Sequence, residues 1–150
     1  NVKTKTWLAT YPNKEYAITK EDILDFWERR RKFGKKKKLW EGAKQWVVLV
    51  DQQVVGHCIA QRKEKFNEVN AIYVLPKYQK MNIGKELFER AMNYLGIDKE
   101  IRIQVVSYNK NAIDFYKKFG FKENKRFKER KYDLLNGKYM PMMTLVKKFK

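Results

Sequence analysis

Apolar residues recur every three or four positions in several parts of the chain, which is the spacing of one face of an α-helix. The longest such stretch is Ile83–Leu95, and Gly96, directly after it, suits the C-terminal end of a helix. The same spacing predicts helices over residues 20–31 and 112–119, and residues 4–11 fit part of an earlier helix. Helices are therefore expected in both halves of the chain.

Shorter segments, most of them rich in apolar residues, predict β-strands. They lie at residues 45–50, 54–62, 68–75, 101–106, 121–132 and 139–146. Asp51-Gln52 and Asn136-Gly137 form turns between neighbouring segments, and Pro76 ends the third. The order of helices and strands predicts a mixed α/β fold, and 150 residues suit one domain better than two.

The single cysteine, Cys58, and the single histidine, His57, exclude several kinds of site. One cysteine cannot form a disulfide within the chain, and these two residues are too few for a Cys/His zinc site. A serine-type triad would have to use His57, and the G-x-S-x-G motif is missing. No apolar run approaches the roughly 20 residues that cross a membrane, and the start does not resemble a signal peptide. We therefore expect no metal and a cytoplasmic location.

The balance of charge raises the question of a nucleic-acid partner, because 35 Lys and Arg face 17 Asp and Glu, a net charge of +18. The surplus is uneven: residues 51–100 hold 8 basic and 7 acidic side chains, whereas the flanking segments carry +7 and +10. Of the bases, 27 are Lys, and specific recognition of phosphates and bases usually favours Arg. We interpret most of the surplus as a solvated surface.

The loop after the third predicted strand has the chemistry of an anion site. It leads into the helix that starts near Ile83, and the first N–H groups of a helix have no partner within it. Together with the helix dipole, such groups attract phosphate. Gly84 allows close approach to the backbone, and Lys80 and Lys85 add positive charge. The pattern predicts a pyrophosphate site, although an ordinary strand–helix turn has the same pattern.

Two segments together resemble the Gcn5-related N-acetyltransferase (GNAT) superfamily. The first, Y-V-L-P-K-Y-Q-K-M-N-I-G at 73–84, is similar to a strand ending in Y-V-x-P and the acetyl-CoA loop Q/R-x-x-G-x-G/A. Asn82 stands where the family usually has its first glycine, and Asn adopts left-handed backbone more readily than most residues. The second matches the signature N-x-x-A-x-x-F-Y-x-x-x-G-F with Asn109, Ala112, Phe115, Tyr116, Gly120 and Phe121. The resemblance covers about residues 46–121.

The resemblance implies a GNAT fold, which is a mixed, mostly antiparallel sheet of about six strands flanked by helices. The sheet would be splayed, with acetyl-CoA in the gap, and the family's first strand is expected to be absent from this chain. The implied cofactor-binding residues are Ile72, Tyr73, Val74, Gln79, Lys80, Met81, Asn82, Ile83, Gly84, Lys85, Asn109, Ala112 and Tyr116. The backbone of the first three would pair with pantetheine like an added strand and polarise the acetyl carbonyl.

The implied reaction is direct attack of a primary amine on the thioester in a ternary complex. The amine would belong to a small molecule, a polyamine or a protein, and a Lys-type amine with a pKa near 10.4 must lose a proton first. Glu68 matches the family's base-bearing glutamate in some members, and Tyr116 matches the residue that protonates the departing thiolate. Each has a structural alternative, since Tyr116 fits a core position, Glu68 fits a solvated strand start, and Asn109 fits a helix cap.

The acceptor pocket is expected to come from the N-terminal helices, the loop near residues 35–40 and the hairpin after Phe121. A different class of function fits the basic ends of the chain, namely a GNAT scaffold that binds nucleic acid or another polyanion without catalysis. The sequence leaves open the identity of the acceptor and the choice between a monomer and a homodimer.

Overall fold

The computed structural model describes residues 1–33 and 39–150 of the chain. Residues 29–38 form a basic run with eight Lys and Arg side chains. Residues 34–38, which hold four of these eight and part of the predicted acceptor loop, lie outside the described residues. The helices are α1 (Val2–Thr10), α2 (Lys20–Phe33), α3 (Ile83–Leu95) and α4 (Lys110–Lys118), with a 3₁₀ turn at Pro76–Tyr78. The strands are β1 (Ala43–Val50), β2 (Gln53–Gln61), β3 (Asn67–Val74), β4 (Ile101–Val106), β5 (Lys122–Glu123), β6 (Arg130–Asp133) and β7 (Tyr139–Lys147).

Within the described residues, the seven strands form one sheet in the order β1-β2-β3-β4-β7-β5, and β6 also pairs with β7. Every pairing is antiparallel except that of β3 with β4, which is parallel. The residues described before Ala43 form helices and one isolated bridge between Asn13 and Ile18. The fold is therefore the mixed, mostly antiparallel sheet flanked by helices that the resemblance implied.

The sheet opens between β3 and β4. Only three residues of each strand pair, and beyond Val69 and Ile103 the two strands separate. A bulge lies at this point, because Ala60 of β2 pairs with Val69 whereas Ile59 pairs with Ala71, which leaves Asn70 as an extra residue in β3. Beyond the bulge β3 stays paired with β2, and β4 stays paired with β7. The two halves of the sheet thus diverge around a gap.

One face of the sheet is covered by α3 and α4. The apolar side of α3 buries Leu87, Phe88, Ala91 and Leu95 against the strands. The Phe88 ring lies at the centre of an aromatic group, with its centroid 4.6 Å from that of Phe119. Burying a side chain of this size contributes roughly 1.5–3 kcal/mol, so this face holds α3 firmly on the sheet.

The other face is covered by α1 and α2, which pack through aromatic rings. The Trp7 ring of α1 lies 5.4 Å from Phe26, 5.0 Å from Trp27 and 5.6 Å from Tyr132, measured between centroids. Such pairs add about 0.5–1.5 kcal/mol each beyond the area that they bury. The two helices and the β6–β7 hairpin therefore form one aromatic layer.

A capping box fixes the start of α2. The Thr19 hydroxyl accepts a hydrogen bond from the Asp22 backbone N–H at 3.2 Å, and the Thr19 N–H donates to the Asp22 carboxylate at 2.7 Å. The same carboxylate accepts hydrogen bonds from Lys138 Nζ at 2.7 Å and from Asn136 Nδ2 at 2.8 Å, both in the β6–β7 turn. This carboxylate therefore fixes the start of α2 on the hairpin.

The single strand predicted at residues 121–132 is wrong, because the structure forms two short strands there, β5 and β6. Asn124 ends the first of them: its carbonyl accepts from the Phe127 N–H at 3.0 Å, and its side chain accepts from the Arg126 N–H at 3.1 Å. The Asn turn outcompetes strand pairing in a segment that lacks regular apolar alternation.

We predict that His57 makes the stability of the fold depend on pH. Its ring is 5% exposed on β2, and neither ring nitrogen has a hydrogen-bond partner among the described residues. Burial, with a smaller contribution from the nearby Lys3, lowers its pKa to about 4. The unfolded chain takes up this proton near pH 6.5 and the folded chain only near pH 4, so the free energy of unfolding falls as the pH drops through this window.

The measurement is urea unfolding at pH 7.5 and pH 4.5 of the wild type and of His57→Leu. The wild type should lose about 2–3 kcal/mol more than the variant between the two pH values. Equal losses in both proteins would show that His57 is not the group responsible.

Candidate active site

The gap between β3 and β4 opens into a cleft of about 1660 Å³. Its lining comes from both strands, from the loop that precedes α3, from the start of α4, and from α1 and α2 on the opposite face. In the described part of the chain, no group of His, Cys, Asp and Glu side chains is placed to hold a metal ion. No described helix is long and apolar enough to span a bilayer.

The edge of β3 presents backbone groups to the cleft. The Leu75 N–H donates to the Val55 carbonyl of β2 at 2.8 Å, and the groups of a strand alternate in direction. Those of Ile72 and Val74 therefore point away from β2, into the space that β4 has left, whereas those of Tyr73 point towards β2. The Val74 carbonyl accepts a hydrogen bond from Gln79 Nε2 at 3.0 Å, which ties the following loop to this edge.

The loop before α3 turns through two residues with left-handed backbone, Lys80 (φ 63°) and Asn82 (φ 62°). Asn82 is the N-cap of α3 and makes no side-chain capping hydrogen bond. The Glu86 N–H is bonded to the Asn82 carbonyl at 3.0 Å, so the three preceding N–H groups have no partner within the helix. Asn82 thus adopts a conformation that glycine favours, and the helix presents an uncapped N-terminus.

Gly84 lies in the first turn of α3 and lines the cleft. A Cβ atom at this position would sit 3.8 Å from Val74 Cγ2 and 3.9 Å from Phe115 Cε2, which are ordinary contacts. A larger side chain would therefore fold with the helix and extend into the space between β3 and α4. The absence of a side chain keeps that space open beside the free N–H groups.

The start of α4 is a second helix N-terminus at the same cleft. The Asn109 side chain caps it by accepting a hydrogen bond from the Ala112 N–H at 3.3 Å, which confirms the predicted cap. Asn109, Asn111 and Ala112 all line the cleft. The two segments of the family resemblance therefore meet in space on either side of one gap.

Tyr116 of α4 lies beneath this gap and is 7% exposed. Its ring packs 5.6 Å from that of Phe88 and 5.5 Å from that of Phe115. Burial raises the pKa of its hydroxyl far above the usual value, with further contributions from Tyr73 and Cys58. The hydroxyl thus stays protonated, and the residue belongs both to the core and to the lining of the cleft.

Glu68 lies at the closed end of the gap, in the register position opposite Arg102. Glu68 is one of the lining residues of the cleft, and its carboxylate forms an ion pair with Lys63 Nζ. Among the described residues only one other carboxylate, that of Asp114, lines the cleft, and Asp114 is exposed on α4. Glu68 is therefore the partly buried carboxylate available between the strands.

Two of the predicted cofactor residues do not line the cleft. Met81 is 61% exposed at the outside of the loop, and the Ile83 side chain packs towards Gly56 on β2. The other predicted residues do line it; they are Glu68, Ile72, Tyr73, Val74, Gln79, Lys80, Asn82, Gly84, Lys85, Asn109, Ala112 and Tyr116.

Sequence reasoning missed several lining residues on the α1–α2 face. Thr6, Arg30 and Tyr132 line the cleft together with Trp7 and Trp27. The sequence allows the two tryptophans to be core residues or part of an acceptor pocket; the structure packs them in the aromatic cluster, at the lining of the cleft. Arg30 stood inside a basic run with no local mark to distinguish it from its neighbours.

Known proteins support the same architecture. The structure is similar to PaiA N-acetyltransferase from Thermoplasma acidophilum in complex with coenzyme A, with a TM-score of 0.63, 22% identity, and coverage of 99% of this chain and 89% of that one. It is also similar to Arabidopsis thaliana Naa50 in complex with the bisubstrate analogue CoA-Ac-MVNAL (TM-score 0.59, 22% identity, 70% and 72% covered). A third is the ribosomal-protein-S18-alanine N-acetyltransferase from Escherichia coli (TM-score 0.58, 20% identity, 72% and 70% covered).

At these identities the solved structures establish the fold. A search of curated proteins found no significant match. The model of the acetyltransferase (GNAT) domain matches residues 41–123, more than half of the chain, and this range contains the split strands, the loop before α3 and the start of α4. The chain therefore belongs to the GNAT acetyltransferase family.

Proposed function

We propose that this protein is an N-acetyltransferase that moves the acetyl group of acetyl-CoA to a primary amine. The observation that carries the proposal is the gap between β3 and β4, onto which two helix N-termini and an unpaired strand edge face. Two of the similar structures contain CoA or a CoA-based analogue, which supports the same kind of ligand here.

The start of α3 suits the pyrophosphate of CoA. Its uncapped N–H groups, the left-handed turns at Lys80 and Asn82, and the helix dipole all favour an anion at this place. Lys80 and Lys85 line the cleft beside it and add positive charge. The fit requires the open space at Gly84, since phosphate oxygens must reach the backbone.

The edge of β3 suits the amide-bearing arm of CoA. Ile72 offers an N–H and a C=O group and Val74 offers an N–H group that a strand partner would bind, and a chain of amides can take the place that β4 has left. A backbone N–H at this edge would also bind the thioester oxygen and stabilise the negative charge that develops on it. Gln79 holds the Val74 carbonyl in place through its 3.0 Å hydrogen bond.

Acetyl-CoA supplies an activated carbonyl. The chain supplies the proton donor and the proton acceptor that the transfer needs. As the amine nitrogen bonds to the acetyl carbon and the C–S bond breaks, the nitrogen loses a proton and the sulfur gains one. Tyr116, kept protonated by burial, is the proposed donor to the sulfur. Glu68 is the proposed acceptor of the amine proton, through water where the distance requires it.

Acetyl-CoA should raise the melting temperature of the wild type, because a ligand that binds only the folded state stabilises it. At 100 times its Kd the gain is about 2.7 kcal/mol, or roughly 5–10 °C for a domain of this size. Gly84→Val should abolish most of this shift, since its side chain fills the space beside the N–H groups. Gly84→Ala should retain part of it, and the melting temperatures without ligand report whether each variant folds. No shift for the wild type would overturn the proposal.

Tyr116→Phe should lower kcat by roughly 100-fold or more, because general acid catalysis contributes about 10²–10⁴-fold. The Phe ring keeps the packing on Phe88, so the acetyl-CoA-induced shift in melting temperature should remain. Tyr139→Phe, the same change at an exposed position outside the cleft, serves as the matched control. An unchanged kcat for Tyr116→Phe would assign this residue to the core alone.

Glu68→Gln should lower kcat/KM most strongly near pH 7 and progressively less towards the pKa of the acceptor amine. Near that pKa the free amine becomes abundant and the base matters less. Because the substitution also removes the ion pair with Lys63, Lys63→Met serves as control: it breaks the pair and leaves the carboxylate. A pH–rate profile of Glu68→Gln that parallels the wild type would contradict the role of Glu68 as base.

A further inference from the structure

The cleft continues past the proposed acetyl-CoA residues into a region that the proposed reaction leaves unassigned. We call this region the acceptor side; it is lined by Trp7, Tyr11, Trp27, Arg30, Tyr73, Tyr132, Met140 and Met142. These residues come from α1, α2, β3, β6 and β7, on the face opposite α3. An acceptor that reaches the thioester from this direction passes along this surface.

The wall of the acceptor side is aromatic. Tyr73 lies between Ile72 and Val74, the two residues of the strand edge proposed for CoA, and belongs to the same packed cluster as Trp7, Trp27 and Tyr132. The Trp7 ring contacts those of Trp27 and Tyr132 at 5.0 and 5.6 Å, edge to face. Trp7 is 4% exposed and supports the wall from the core, whereas Trp27, Tyr73 and Tyr132 are partly exposed. Rigid rings of this kind favour a planar apolar body over a hydrated, flexible chain.

Arg30 stands at the far end of this wall. Its guanidinium lies 5.7 Å from the centroid of Phe26 and close enough to Tyr132 to oppose the rise that burial causes in the pKa of that tyrosine. Its neighbour Arg29 pairs with Asp25 at 2.9 Å, but among the described residues no carboxylate lies within 4.0 Å of Arg30. A half-buried guanidinium of this kind is a binding group for a carboxylate, which it can hold through two parallel hydrogen bonds.

The charges of the residues that line the cleft also favour an acceptor with a carboxylate. Its described lining contains two carboxylates, Glu68 and Asp114, against seven cationic side chains: Lys3, Arg30, Lys80, Lys85, Lys118, Arg130 and Lys131. Glu68 is paired with Lys63, and Asp114 lies on α4, on the side of the proposed CoA site. A polyamine would therefore meet cations on the acceptor side and no carboxylate there to bind its additional amines.

We infer that the acceptor is a primary amine on a planar, apolar body that carries a carboxylate, with the body against the partly exposed rings of Trp27, Tyr73 and Tyr132 and the carboxylate on Arg30. This inference rests on the proposed acetyltransferase function and names its substrate class. The same arrangement disfavours a polycationic acceptor.

The test compares 4-(aminomethyl)benzoate with 4-(aminomethyl)benzamide, which share shape and amine and differ in one charge remote from the amine. The wild type should acetylate the benzoate with a kcat/KM roughly 10-fold or more above that of the benzamide, since hydrogen bonds to charged groups contribute more than neutral ones. Arg30→Gln should remove this preference and leave the KM for acetyl-CoA unchanged. Arg31→Gln, one position along the same helix and outside the cleft lining, should retain it.

Equal or better acetylation of the benzamide, preferential acetylation of spermidine, or a preference that survives in Arg30→Gln would overturn the inference. The inference would also be overturned if the protein binds acetyl-CoA and acetylates neither aromatic probe. The acetyl-CoA thermal shift is measured in parallel, because its absence contradicts the proposed function itself and is therefore distinguishable from a failure of the acceptor class alone.

Discussion

The early separation of β3 and β4 is the constraint on which the rest of the molecule depends. Backbone N–H and C=O groups must find partners, so a sheet that opens in its middle carries a cost. The chain limits that cost by keeping β3 paired with β2 and β4 paired with β7 beyond the bulge at Asn70. What remains unpaired is one edge of each strand, facing the cleft, where water or a ligand can satisfy it. The separation of the two strands therefore creates the cleft, and the side chains only shape its lining.

The two faces of the sheet bring different chemistry to this cleft. On one face the core around Phe88 holds α3 and α4 so that both N-termini meet the opening, and the same core buries the ring of Tyr116. On the other face an aromatic layer carries Trp7 and Arg30 towards the opening. The Asp22 carboxylate, bound by Lys138, joins this second layer to the β6–β7 hairpin. The helix N-termini and the aromatic layer therefore belong to separately packed clusters that share one gap.

Features that are local in sequence could be predicted, and features that depend on distant contacts could not. The helix at Ile83–Leu95 and the loop before it follow from periodicity and from the free N–H groups of any helix start. The break within residues 121–132 was missed because its cause is one Asn turn in a strongly charged segment. Arg30 was missed for another reason: it meets Tyr132 only after about a hundred intervening residues have folded. The ion pair of Glu68 with Lys63 likewise needs the β2–β3 connection to be in place.

The net charge of +18 acquires a different meaning once the cleft is known. Taken alone, it invited a nucleic-acid partner, since a basic chain attracts any polyanion. Seven of its cations line a single cleft with two carboxylates, and they divide between the helix N-termini on one side and the aromatic wall on the other. A field of this sign attracts the phosphates of a CoA-type ligand. The same surplus that coats the surface therefore also makes the cleft favourable for a negatively charged ligand.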